Sequence, residues 1–405
     1  MTPARRSRSA RRADLVSALW TTLLIAPALL FLLLNFAIPI VMMLARGVTE
    51  PELMSAMPRA TLALRQWRGS GLPDDQLAGL VAEDMVRAQA AGTLKLVANR
   101  LNFASAGSRS LIFATADALA FDTGPVTLER LRTIDPRWGS LETWAAIRHA
   151  SGPLTSFYLL AAADRRMDAS GHVVTVSADR SVFVDVLLRT FKISAIVTFL
   201  CLLLGYPTAS LLATLPESVG NSLMLLVMLP FWTSTLVRTT AWTVLLQTHG
   251  VVNQALQSIG VIHEPLTLVY NRTGVYIAMT HVLLPFMILP LYGVMKRIPP
   301  DAVRAARSLG AGSVTAFRKV FLPQSLPGII AGVVVVFTLA LGYYVTPALV
   351  GGGADQLIST YIAFYINQSL NWGMAAALSL LLLGSLAAVL FAAYLAIRPA
   401  AVLGR

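Results

Sequence analysis

The chain has 405 residues, of which 56% are hydrophobic and only 13% charged; soluble domains carry about 25% charge, so a water-facing surface is excluded for most of this length. The formal net charge is +12, yet the basic residues fall where membrane topology puts them rather than in one patch, which argues against a nucleic-acid partner. The single cysteine, Cys201, lies in an apolar run, so no internal disulfide and no cysteine metal cluster can form.

The N-terminal tail is basic, with Arg5, Arg6, Arg8, Arg11 and Arg12. Residues 17–44 follow as an apolar run of about 28 residues, roughly 42 Å as a helix. That exceeds the roughly 20 residues a bilayer core requires and is too long for a cleaved signal peptide. It predicts an uncleaved first span, so residues 1–45 form a basic tail and a membrane helix.

Residues 46–185 differ in character. Basic and acidic residues are equal in number, and no apolar run is long enough to span. Helical periodicity recurs at Leu77, Leu80, Val81, Met85 and Val86 and at Leu128, Leu131 and Ile134. Gly71-Leu72-Pro73, Gly124-Pro125, Asp135-Pro136 and Ser151-Gly152-Pro153 separate the pieces. The segment predicts a mainly helical domain outside the membrane, inserted between spans one and two.

Five further spans are predicted at 186–213, 222–247, 275–295, 328–350 and 375–397. Basic residues mark one side: the N-terminal tail, the loop holding Lys296, Arg297, Arg304, Arg307, Arg318 and Lys319, and the C-terminal Arg398 and Arg405. By the positive-inside rule that side is the cytoplasm, and the insert, whose length exempts it from the rule, lies outside. The expected fold is therefore an all-α integral membrane protein with six helices and both termini cytoplasmic.

Charged or polar groups within spans are costly and face a cavity or a partner. Arg238 in the third span and His281 in the fourth are either structural hydrogen bonders or residues of a solute pathway. Tyr343 and Tyr344, placed mid-span in the fifth helix, either pack or close a central gate. No His-Glu-x-x-His, Gly-x-Ser-x-Gly or Cys/His cluster occurs, so no catalytic residue, cofactor or metal is expected.

The loop at 297–327 is the most specific stretch. Pro299 and Pro300 open a helix, Asp301 occupies its first turn, and Gly310 ends it. Ala302, Ala305 and Ala306 give a face that a partner can approach closely. A second amphipathic turn brings Phe317, Val320, Phe321 and Leu322, and Leu322-Pro323 and Pro327-Gly328 close the segment. Two short helices at an angle make a knob.

The run RAARSLGAGSVTAFRKVFLP resembles the EAA loop of permease subunits of binding-protein-dependent ABC importers. Ala305-Ala306, Gly310 four residues on, Val320, and Leu322-Pro323 match the family spacing, and Arg304 stands where the family has Glu. Leu203-Leu204-Gly205-Tyr206-Pro207, PFWTSTLVRTTAW from Pro230, LLPFMILPLYGVM from Leu283, TPALVGGG and Asn371-Trp372-Gly373 resemble the spermidine/putrescine branch. The resemblance implies a type I importer permease fold, with residues 186–405 as its core after the first helix. It implies ATPase coupling through Arg304, Ala305, Ala306, Gly310, Ala311, Phe317, Leu322 and Pro323. The implied partners are two cytoplasmic ATP-binding subunits, a second permease subunit expected to be a different chain, an extracytoplasmic solute-binding protein and the lipid bilayer of a bacterial inner membrane. The implied activity is ATP-driven import of small organic solutes, polyamine-like, by alternating access. The chain's four lysines, Lys95, Lys192, Lys296 and Lys319, do not follow a glycine, so the phosphate-loop motif is missing and ATP hydrolysis falls to a separate chain. An ATPase-independent secondary transporter and a membrane sensor using the insert are the competing readings.

Overall fold

The computed structural model describes residues 23–69, 71–120, 124–168, 170–177 and 181–403, with side chains as far as residue 396. The five tail arginines, the predicted start of the first span at residue 17, the side chain of Arg398 and Arg405 lie outside the described residues. The chain divides into two compact units. One takes the residues up to Ala161, Arg165–Val174 and Trp372–Leu380; the other takes Ala162–Asp164, Thr175–Asn371 and the chain from Leu381 onward.

In the first unit, α1 (Leu23–Ala45) exposes apolar side chains along its length. The short helices α2 (Pro51–Ala56) and α3 (Pro58–Gln66) each start on a proline, whose missing N–H costs nothing in a first turn. Then come α4 (Asp75–Ala90), α5 (Leu94–Ala104), α6 (Ser108–Leu119), α7 (Leu128–Ile134) and α8 (Leu141–His149). Asp74 and Thr127 cap α4 and α7 with their side chains. The predicted periodicity is the real core face: Leu77, Val81, Met85 and Leu131 are buried. Trp138 and Trp144 fill the centre with ring centroids 5.1 Å apart, and each indole N–H is satisfied, by Thr115 Oγ1 and by the Trp138 carbonyl. Asp84 of α4 accepts from the Ala60 N–H at 2.8 Å and so caps α3 from a neighbouring helix. After α8 come α9 (Phe157–Ala162) and a short hairpin of β1 (Arg165–Met167) and β2 (Val173–Thr175), which the sequence reading lacked.

Two features tie this unit together. The entering and leaving segments pair as an antiparallel bridge at Thr49 and Leu154, with the Glu50 N–H donating to Pro153 and the Thr155 N–H to Val48. Beneath it, Glu50 is fully buried and Arg100 of α5 is 3% exposed. The Glu50 carboxylate engages Arg100 at Nε and at Nη2, the latter at 3.0 Å, while Phe157 lies 4.0 Å below the guanidinium. Burial pushes the Arg100 pKa down to about 10, which leaves it charged at neutral pH.

The second unit starts from Asp164, whose backbone is left-handed at φ 54°. Its carboxylate accepts from the N–H groups of Val182, Phe183 and Val184, capping α10 (Phe183–Thr214) where three donors would otherwise be orphaned. Next are α11 (Glu217–Met228), α12 (Thr235–Leu245), α13 (Val251–Ser258), α14 (Arg272–Met295), α15 (Pro300–Ser308), α16 (Ser313–Gly342), α17 (Val345–Val350), α18 (Ile358–Asn367) and, from Leu381 onward, α19 (Trp372–Leu403). The core is α10, α14 and α16, meeting through Val197, Cys201, Met279, Met287, Ile288, Leu291 and Val336. The backbones approach closely at glycines: a Cβ on Gly205 would lie 3.0 Å from Met287, and one on Gly328 would lie 3.2 Å from the Pro290 carbonyl oxygen. This is small-residue packing of membrane helices.

Among the described residues five helices are long and apolar enough to cross a membrane, six if one bent pair counts as one. The spans predicted near 186–213, 275–295 and 375–397 are continuous helices. Three expectations need correction. The third span, 222–247, is α11 with its 3-10 extension and then α12, bent by 96°; Pro230 sits in the tight turn and Thr233 and Ser234 are extended. The fifth span does not run to residue 350. It stops at Gly342, because the ring of Pro347 would clash with the carbonyl of Tyr343 in a continuing helix, so Tyr343 and Tyr344 lie at a helix break rather than mid-span. Finally, the second half of the knob is not a separate helix closed by Leu322-Pro323. It runs straight into α16 through a π-turn at Phe317–Phe321, whose wider ladder accommodates Pro323.

The buried pair gives the first prediction. Glu50→Gln leaves the Arg100 charge uncompensated and is expected to destabilise the first unit by about 3–5 kcal/mol. Hydrogen exchange across α5 in the purified full chain reads this. Adding Arg100→Met to Glu50→Gln is expected to recover much of the protection.

Candidate functional site

Helix α15 ends in a complete Schellman motif. The Gly310 N–H donates to Arg307 at 2.9 Å and the Ala311 N–H to Ala306 at 3.0 Å, with Gly310 at φ 88°. Three of the loop residues singled out in sequence, Ala306, Gly310 and Ala311, are thus parts of one capping device. A Cβ on Gly310 would meet nothing within 4 Å, so the glycine is required by backbone conformation and not by crowding. Arg304 pairs with Asp301 at 3.4 Å, both exposed.

No residue of α15 is buried in the chain. Beside it Leu309 is 89% and Val314 69% exposed. The side opposite the knob is anchored: Ala316 is buried, Phe317 meets Tyr206 of α10 edge-on at 6.1 Å, and the Tyr206 hydroxyl hydrogen-bonds Ser325 at 3.0 Å. Pro323 is exposed on α16, and Leu322 is half-buried. An apolar tip on a braced base can receive a rigid push.

The second group sits at the broken helices. The Trp242 indole N–H donates to His281 Nδ1 at 3.1 Å, joining α12 to α14. Arg238, one turn before Trp242, donates to Thr235 at 3.4 Å. Thr239 and Thr346, both fully buried, share a hydrogen bond of 3.0 Å between α12 and α17. The Tyr343 carbonyl accepts from Ser359 at 2.8 Å, and the Tyr344 side chain is exposed. The structure therefore ties His281 to Trp242, one turn after Arg238 on α12, and places Tyr343 and Tyr344 at the break leading into α17.

Sequence reasoning missed Trp242, Thr239, Thr346 and the ion pair of Arg272 with Asp355 at 2.8 Å. That pair belongs to a loop in which a Cβ on Gly351 would lie 2.6 Å from the Pro347 carbonyl oxygen and one on Gly352 2.7 Å from the Tyr270 carbonyl oxygen. The glycines of TPALVGGG were the available signal. Among the described residues no group of three or more His, Cys, Asp or Glu side chains could hold a metal ion.

A bundle of long apolar helices, broken helices joined by polar hydrogen bonds and an exposed capped helix between two spans define a multi-span membrane protein. Residues 202–400 match the family model described as the binding-protein-dependent transport system inner membrane component. The spermidine/putrescine transport system permease protein PotB of Escherichia coli (strain K12) is 36% identical over 200 residues, which cover 49% of this chain and 73% of that one. PotB of Salmonella typhimurium (strain SL1344) is also 36% identical, over 49% of this chain and 70% of its own. The inner membrane ABC transporter permease protein YdcU of E. coli is 36% identical over 41% of this chain and 57% of its own. A bacterial alginate ABC transporter, solved with an alginate pentasaccharide-bound periplasmic protein, aligns at TM-score 0.44 and 19% identity over 53% of this chain and 78% of that one. The chain belongs to the family of binding-protein-dependent transport system inner membrane components. It is a multi-pass inner-membrane permease, a transport subunit rather than an enzyme.

Proposed function

We propose that this permease carries polyamine-like organic solutes in an ATP-driven importer, and that α15 is the element through which a cytoplasmic ATPase moves the bundle. The braced, exposed knob carries the reading. A partner groove that accepts α15, Leu309 and Val314 would bury apolar surface and grip the loop. Because the segment after Gly312 is already α16, a displacement there passes along one rigid rod to Gly328, where α16 lies against the α14 backbone. Polyamine-like cargo rests on the printed function of the PotB relatives. In this reading Ala305, Ala306, Gly310 and Ala311 form the docking face, Arg304 contributes at its rim, and Phe317, Leu322 and Pro323 join it to α16. Arg238 and His281 line the solute path and Tyr343 and Tyr344 gate it at the α16–α17 break. The partners are two ATP-binding subunits, a second and different permease subunit and an extracytoplasmic binding protein. Both termini and the α15 loop lie in the cytoplasm, and residues 46–185 lie outside.

Coupling is tested by substitution. A side chain at the left-handed position costs roughly 1 kcal/mol or more and would push a partner away, so Gly310→Asp is expected to abolish labelled spermidine or putrescine uptake while permease abundance in the membrane is unchanged. Ala306→Asp is expected to weaken ATPase co-purification by placing an unpaired charge in the dock. Normal uptake by both variants would remove this loop from the mechanism.

The gate is tested by Tyr343→Ala with Tyr344→Ala, which is expected to leak solute or to uncouple ATP hydrolysis from transport. Wild-type coupling in the double variant would leave these residues a packing role only.

Orientation is tested by thiol labelling, for which the fully buried Cys201 gives little background. Leu72→Cys is expected to label from outside in intact cells, and Gly312→Cys only after the inner face is opened. Labelling of both from one side would overturn the topology.

A further inference from the structure

The first unit contains a cavity of about 640 Å³ that the transport reading does not use. It lies among α5, α8, α9 and the β1–β2 hairpin, and its volume is that of a small-molecule site. Although basic and acidic residues balance over 46–185, the cavity gathers Arg65, Arg100, Arg148, Arg166 and His149 against Glu142 and Asp168. The Asp168 carboxylate is already engaged by the N–H of Ser170, its hydroxyl and the N–H of His172, at 2.7–3.0 Å. The positive side is less fully used. Arg100 is fixed by Glu50 through Nε and Nη2, but its Nη1 is buried without a hydrogen-bond partner, a donor that costs free energy until an acceptor meets it. The field at His149 agrees: burial first, then the Arg148 charge, with a smaller contribution from Arg100, push its imidazole below the usual range against the opposing pull of Asp168. Leu154, Phe157 and Leu160 add apolar wall beside these donors.

We propose that this cavity is a binding site for a small organic anion, in which a carboxylate or phosphate group meets the arginines and a short apolar body lies against Phe157. The site is of opposite charge preference to a polyamine. The anionic group can come from a free solute or from a lipid headgroup.

Calorimetric titration of the purified full chain in nonionic detergent tests this. The probes are succinate, inorganic phosphate and dihexanoylphosphatidylglycerol, with putrescine as the cationic control. The expected result is saturable binding of at least one anion, weakened about tenfold in the Arg65→Gln/Arg166→Gln variant. Both of these arginines are exposed, so their replacement is expected to leave the thermal unfolding midpoint unchanged. Binding of succinate or phosphate assigns the site to a free solute, and binding of the phosphatidylglycerol alone assigns it to lipid. Absence of saturable heat with all three anions, binding unaltered in the variant, or putrescine binding as tight as any anion would overturn the proposal.

Discussion

The second unit depends on how closely three helix backbones approach one another. In lipid no hydrophobic force draws apolar helices together, so association rests on packing and on a few interhelical hydrogen bonds. Gly205, Gly328 and Gly332 remove side chains where α10 and α16 meet α14: Met287 packs against Gly205 and Gly332, and Gly328 lies against Val294 and the Pro290–Leu291 backbone. Around this contact the hydrogen bonds Tyr206–Ser325, Thr239–Thr346 and Trp242–His281 fix the orientation of neighbouring elements. The same closeness lets a push on α16 reach α14, since interdigitated backbones cannot absorb it by side-chain rearrangement.

Breaks in helices are tolerated in such a bundle only where neighbouring groups receive the freed backbone. The turn at Leu229–Trp232 and the break at Tyr343–Tyr344 follow this rule: Thr233 bonds back to Pro230 by both its N–H and its hydroxyl, and the Tyr343 carbonyl is taken by Ser359. The short helices α2–α9 of the first unit obey different physics, that of a core with buried tryptophans and a buried charge pair, Glu50 with Arg100.

Hydropathy made the long helices legible, because a run such as Phe183–Thr214 reports its solvent directly. It could not report direction, so the 96° bend after Pro230 read as one span and the break before Pro347 was overlooked. Pro323 misled in the opposite sense, since a π-turn absorbed a proline expected to end the segment. The α15 loop was readable because its device is local: proline start, acidic first turn and left-handed glycine lie within a dozen residues. Leu77, Val81 and Met85 revealed the core face of α4 by period alone. Nothing local joins Glu50 to Arg100 or Trp242 to His281, and the arginines of the insert cavity come from elements far apart in sequence. Those features required the fold.

The bridge between Thr49 and Leu154 closes the chain between them into a loop tied at its neck. Its two ends are held side by side by backbone hydrogen bonds from Glu50 to Pro153 and from Thr155 to Val48, as at sites where one domain can be spliced into another without strain. A deletion of residues 51–152 therefore leaves ends close enough for a short turn to join. A segment tied at its neck in this way can be lengthened, shortened or replaced without pulling on the chain to either side of the tie.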